Sequence, residues 1–194
     1  YNHAALHSIP EHPRFVFCAT SMHTGKMVRL SGQWIRDWRM GEWEVDDLQV
    51  ADAVTASSAF PPVLSPFVID TKHRAFTPWI PKQGETIYPP PEDKLFLTDG
   101  GVYDNLGLEA VWKSYDTIYV SDAGAAFQFD ADGDYMMTKQ ALRVTSIMQD
   151  QVGALRFRQI LDAFEAKSGQ APARKGFMVA SDYFLNPTPA DSPP

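Results

Sequence analysis

The segment of this chain best suited to chemistry is Leu95-Phe96-Leu97-Thr98-Asp99-Gly100-Gly101-Val102-Tyr103-Asp104-Asn105-Leu106-Gly107. Lys94 to Thr98 reads as an apolar strand that delivers the carboxylate of Asp99 to its C-terminal end, where sites are built in α/β sheets. Two glycines follow at once, so the backbone can turn tightly there and approach a neighbouring loop closely. By itself, Asp-Gly-Gly also reads as an ordinary turn.

A second block lies upstream: Ala53-Val54-Thr55-Ala56-Ser57-Ser58-Ala59-Phe60-Pro61-Pro62-Val63. The Asp-Gly-Gly segment resembles that of the patatin-like phospholipases, in which a serine on a nucleophile elbow pairs with this aspartate in a dyad without histidine. The upstream block resembles the Ala-Ser-x-Ala-x-Pro helix end of the same family, in the right order and at a compatible separation. The resemblance runs from about Phe15 to Val120, more weakly over Gln149 to Ile160, and covers roughly the second half of the family domain. It implies that Asp99 is the catalytic carboxylate, that Gly100 and Gly101 form its turn, and that Asn105 is a polar support for that turn. Ser57, Ser58 and Pro61 match a structural block and are not, by resemblance, the nucleophile.

The chemistry of such a dyad follows from elementary acidity. A serine hydroxyl is a weak nucleophile until a neighbour accepts its proton, and a carboxylate with a solution pKa of about 3.9 is a poor base at neutral pH unless its site raises that value. Desolvation between apolar walls does so, and Leu95 to Leu97, Val102 and Tyr103 are candidates for those walls. A positioned base supplies about 10²- to 10⁴-fold, with the rest coming from orientation and an oxyanion hole.

One departure from the family is large. No Gly-x-Ser-x-Gly occurs in the 194 residues, and neither does a glycine-rich loop able to donate amides to an oxyanion. Both elements precede the aspartate in patatin-like proteins. The chain opens at Tyr1 without an initiator Met, so the expectation is that the nucleophile belongs to sequence before Tyr1, and that without it the remaining sheet exposes apolar faces and is marginally stable.

Composition bounds the remaining readings. A hydrophobic fraction of 44% argues for a packed globule, and 17 basic against 24 acidic residues give −7, with no cluster of Lys and Arg among aromatics. Nucleic acid is therefore not an expected partner. Cys18, the single cysteine, excludes an intramolecular disulfide and reads as a buried strand position. No run reaches the roughly 20 apolar residues of a membrane span, and no signal sequence opens the chain.

The elements that must position Asp99 read as follows. Arg14 to Thr20 and Lys26 to Ser31 form a hairpin about Thr24-Gly25. Asp47 to Phe60 is a helix, with Leu48, Ala51, Val54 and Ser58 on one face, stopped by Pro61-Pro62. Pro66 to Asp70 and Arg74 to Trp79 are short strands, and residues 81–93 are a proline-rich loop. Gly107 to Lys113 suits a short helix and Thr117 to Ser121 a fully buried strand. Thr138 to Ala166 repeats Leu142, Ile147, Val152, Leu155, Ile160, Leu161 and Phe164 at helical spacing, with a break near Gly153. Phe177 to Ala180 is a last strand. Residues 1–185 read as the C-terminal part of one acyl hydrolase domain, and 186–194, with four prolines, as a disordered tail.

Three other features are weighed. His3 and His7, with His12 and His23 nearby, lack the Glu and third ligand of a zinc site. Asp130-x-Asp132-Gly133-Asp134 has its glycine two positions early for a calcium loop and reads as a solvated acidic turn. Trp34, Trp38 and Trp43, with Ile35, Met40, Arg36 and Arg39, read as core packing, with a lipid-facing lid as the alternative. No metal or cofactor is expected.

The resemblance implies a three-layer α/β/α patatin-like fold, incomplete in this chain, and hydrolysis of lipid or other acyl esters, with peripheral membrane contact as a further expectation. The rivals are a non-catalytic patatin-like scaffold or partner-binding module, and a transacylase or protease on the same dyad.

Overall fold

The structure, a computed structural model, describes residues 3–124, 129–130, 136–166 and 173–180. The chain is mixed α/β and divides into two compact units, Tyr1–Ala110 and Val111–Pro194.

The first unit is built on a seven-stranded sheet in the order β5-β7-β1-β2-β3-β4-β6. Its strands are β1 (Phe17–Ser21), β2 (Met27–Leu30), β3 (Ile35–Asp37), β4 (Gly41–Trp43), β5 (Phe67–Asp70), β6 (Phe76–Pro78) and β7 (Lys94–Asp99). Every neighbouring pair is antiparallel. The expected hairpin is β1–β2. Gly25 takes a left-handed φ of 63° at its turn, and the Ser21 hydroxyl accepts the amides of His23 and Thr24.

Helix α1 (Val50–Ser57) is shorter than the expected Asp47–Phe60 at both ends. It starts later because Gln49 is its N-cap, in a capping box where Asp52 Oδ2 accepts the Gln49 amide at 2.8 Å. It packs Ala53 and Ala56 into a core with Leu6, Ala19, Val28, Leu30, Ile35, Met40, Trp43, Leu95 and Leu97. Small residues on its buried face let the helix lie close to the sheet. Trp43 stacks on Phe76 at 4.9 Å between centroids, and Trp34 is buried beneath the Arg36 guanidinium, 3.9 Å above its ring. Two of the three tryptophans thus serve the core, while Trp38 is exposed.

After β7 come a single helical turn that the sequence does not announce, α2 (Gly101–Asp104), and a 3-10 turn at Leu108–Ala110 in place of the expected helix Gly107–Lys113. Gly107, at φ 62°, breaks the helical path between them, and Asp104 Oδ2 fastens the second turn by accepting the Glu109 amide at 2.7 Å.

In the second unit, β8 (Thr117–Asp122) and β9 (Lys175–Ala180) pair in parallel, and α3 (Met137–Glu165) lies between them in sequence. Parallel neighbours require such a crossover. Two expectations are corrected. Strand β8 is buried on one face only, through Ile118 and Val120, because its alternate residues Tyr119 and Ser121 point outward. Helix α3 runs through Gly153 without a break, since one glycine weakens a helix by only about 1 kcal/mol and removes no hydrogen bond. Of its apolar residues, Ile160 and Ala163 are buried, while Leu142, Ile147 and Leu155 are exposed. Among the described residues no helix is long and apolar enough to cross a membrane. Asp132, Gly133 and Asp134 of the acidic turn, and the tail 186–194, lie outside the described residues.

Candidate active site at the Asp99 turn

The site is assembled by a shortage of donors. In a continuing helix the Ser57 carbonyl would accept the amide of residue 61. That residue is Pro61, which has no N–H, and Pro62 likewise offers none to Ser58. Ser58 O is met locally by the Phe60 amide at 2.8 Å, and Ser57 O is left to find a partner from elsewhere. The end of β7 supplies it. The Gly100 amide donates to Ser57 O at 3.1 Å, the Asp99 amide to Ala59 O at 2.9 Å, and the Thr98 hydroxyl to the same Ala59 O at 3.0 Å. The two sequence blocks singled out above are thereby joined through their backbones.

On its other side the Asp99 turn is held by β1. Ala19 lies opposite Asp99 and Thr20 opposite Thr98, and the Thr20 hydroxyl donates to Asp99 O at 2.8 Å. Gly100 is buried with ordinary helical dihedrals, so its requirement is space: a Cβ there would overlap the Cys18 carbonyl. Gly101 is less confined. A Cβ on it would meet Asn105 Oδ1 at 2.6 Å and Asp99 Oδ1 at 3.0 Å.

Within this frame the half-buried Asp99 side chain turns back on its own loop. Its Oδ1 accepts the Gly101 amide at 2.6 Å, while no hydrogen bond reaches Oδ2 among the described residues. One oxygen is thus held by the turn, and the other has no hydrogen bond from the described residues. Asn105 is exposed, with Oδ1 beside Gly101. Ser57 is half-buried at the same junction, and Ser58 turns its hydroxyl back to Val54 O at 2.8 Å. Phe60, which follows Ala59, is exposed together with Val63 and Leu64.

Cys18, in β1 beside Gly100, is half-buried and not the fully buried strand position expected of it. Burial pushes its thiol up to about 11, against the opposing pull of Arg29 and with a smaller push from Asp104. Asp104 is itself buried.

Three residues escaped the sequence reading. Thr20 and Thr98 are buried hydroxyls in strand interiors, and their signal was a polar residue within an apolar run. Asp37 is fully buried at the end of β3, where Oδ2 accepts the Thr24 hydroxyl at 2.7 Å and Oδ1 the Arg39 amide at 2.8 Å. Burial raises its carboxyl above the ordinary value, partly offset by hydrogen bonds from Thr24, Arg39, Ser21 and Met40. Nothing local distinguishes Asp37 from an exposed turn aspartate.

No family model, curated protein or solved structure matches the chain.

Proposed function

We propose that Asp99 is the general base of a Ser-Asp dyad in a patatin-like lipid acyl hydrolase of the phospholipase or esterase type, with the serine supplied from outside these 194 residues. The observation that carries this reading is the joining of the Ala53–Val63 block to the Asp99 turn, which leaves Asp99 Oδ1 held by Gly101 and Oδ2 open. Oδ2 would take the serine proton as the hydroxyl attacks the ester carbonyl, and return it to the departing alcohol. It would then take a proton from the water that attacks the acyl-enzyme and pass it to the departing serine oxygen as the fatty acid is released. The same reading implies a three-layer α/β/α fold, and it assigns the exposed Phe60, Val63 and Leu64 to peripheral contact with the lipid that carries the substrate.

A second reading is favoured by one observation of its own. The bond from the Gly101 amide to Asp99 Oδ1 is an Asx turn, which gives the carboxylate a purely structural task and suits a non-catalytic scaffold or partner-binding module.

Hydrolysis of p-nitrophenyl acyl esters separates the two. On the catalytic reading the 194 residues alone show no turnover and take up no fluorophosphonate. The longer polypeptide that carries the nucleophile hydrolyses the esters and is labelled. Turnover by the 194 residues that a fluorophosphonate abolishes would move the nucleophile to Ser57, Ser58 or Ser121. Absence of turnover in the longer polypeptide would leave the scaffold.

A further inference from the structure

Thr20 and Thr98 face each other across β1 and β7, and both are buried. At such positions valine has the same shape and contributes more to the core, since it carries no hydroxyl to desolvate. Each hydroxyl makes one bond that valine cannot make, and both bonds end on the Asp99 junction: Thr20 Oγ1 on the Asp99 carbonyl at 2.8 Å, Thr98 Oγ1 on the Ala59 carbonyl at 3.0 Å. The two bonds hold the turn to two different segments. One ties it to β1, and the other to the carbonyl that also receives the Asp99 amide.

We infer that Thr20 and Thr98 are positioning residues that orient the Asp99 carboxylate through this paired hydroxyl clamp. The purpose of the orientation rests on the reading of Asp99 as the base; the clamp itself is a property of the fold. Asp99 Oδ1 is held by one bond, to the Gly101 amide, so its direction depends on where the backbone of residues 99–101 sits. Loosening either end of the clamp lets that backbone shift and leaves Oδ2 pointing through a wider range of directions. Small displacements of this kind are expensive in catalysis and cheap in stability.

Thr20→Val, Thr98→Val and the double substitution in the 194-residue chain test this by amide hydrogen exchange and thermal melting. Losing one clamp bond is expected to speed exchange of the Gly101 amide roughly tenfold, with the double variant faster still. Exchange of amides in β2 and β3 is expected to stay unchanged. The melting temperature is expected to move little, because the valine methyl offsets the lost bond. Thr98→Ser, which keeps the donor, is expected to restore slow exchange. In the longer hydrolytic polypeptide, the valine variants lower kcat with KM unchanged. Unaltered Gly101 exchange in the double variant overturns the clamp, as does failure of serine to restore it. A silent Asp99→Asn beside accelerated Gly101 exchange overturns the catalytic reading and leaves the clamp standing.

Discussion

The Asp99 amide donates to the Ala59 carbonyl at 2.9 Å, so the strand end bearing the candidate base is bonded to the chain just beyond α1. The neighbouring bond, from the Gly100 amide to Ser57 O at 3.1 Å, fills the place that Pro61, lacking an N–H, leaves empty at the end of α1. A turn held in this way has a defined position, and the predictions below probe what depends on it.

Asp99 and Asp104 lie in the same turn region and are predicted to fail differently. In a polypeptide that also carries the proposed serine, Asp99→Asn is expected to lower turnover at least about a hundredfold with the fold intact, since the side-chain amide keeps the Gly101 bond and cannot take a proton. Asp104→Asn leaves turnover much less affected. Asp104→Ala takes the acceptor from the half-buried Glu109 amide and is expected to lower stability by about 1–3 kcal/mol, read from chemical denaturation. Equal losses of turnover in the two Asn variants would sink the assignment.

The two glycines are also predicted to separate. Gly100→Ala drives a methyl into the Cys18 carbonyl, and neither backbone can yield without moving β1, so a loss of about 1–3 kcal/mol is expected. Gly101→Ala meets Asn105 Oδ1 first, and that exposed side chain can swing away. Its melting temperature should stay closer to the parent's. The reverse order would mean that the turn does not pack on β1 as described.

Asp37 makes stability fall with rising pH. Its folded carboxyl binds a proton more tightly than in the unfolded chain, so its contribution is fully present below the ordinary value of 3.8 and is lost as pH rises through the higher folded value. Asp37→Asn removes this slope. Denaturation midpoints from pH 4 to 8 are expected to show the variant gaining on the parent as pH increases, and parallel curves would refute the assignment.

With its thiol pushed up to about 11, Cys18 is expected to resist iodoacetamide at pH 7 in the folded protein and to react readily once denaturant is added. Rapid modification of the native chain would show that the thiol is neither desolvated nor protonated as its surroundings require.

Much of the framework around Asp99 was legible in the residues themselves. Alternation and the Thr24-Gly25 turn announce the β1–β2 hairpin, the apolar run announces β7, and the long helical period announces α3, because each depends on side chains within a few positions of one another. The two blocks that define the candidate site were singled out by a resemblance of motif, since Asp-Gly-Gly by itself reads as an ordinary turn. Their bonding to each other was decided by the tertiary structure alone, since the partner of an orphaned carbonyl is whichever donor the fold brings near. The same is true of the burial of Asp37, the clamp formed by Thr20 and Thr98, and the outward face of β8, whose apolar residues show the strand period without showing how many faces are covered. Local order is written in neighbouring side chains. Burial, register between distant strands and the filling of backbone hydrogen bonds depend on contacts that exist only once the whole chain has folded.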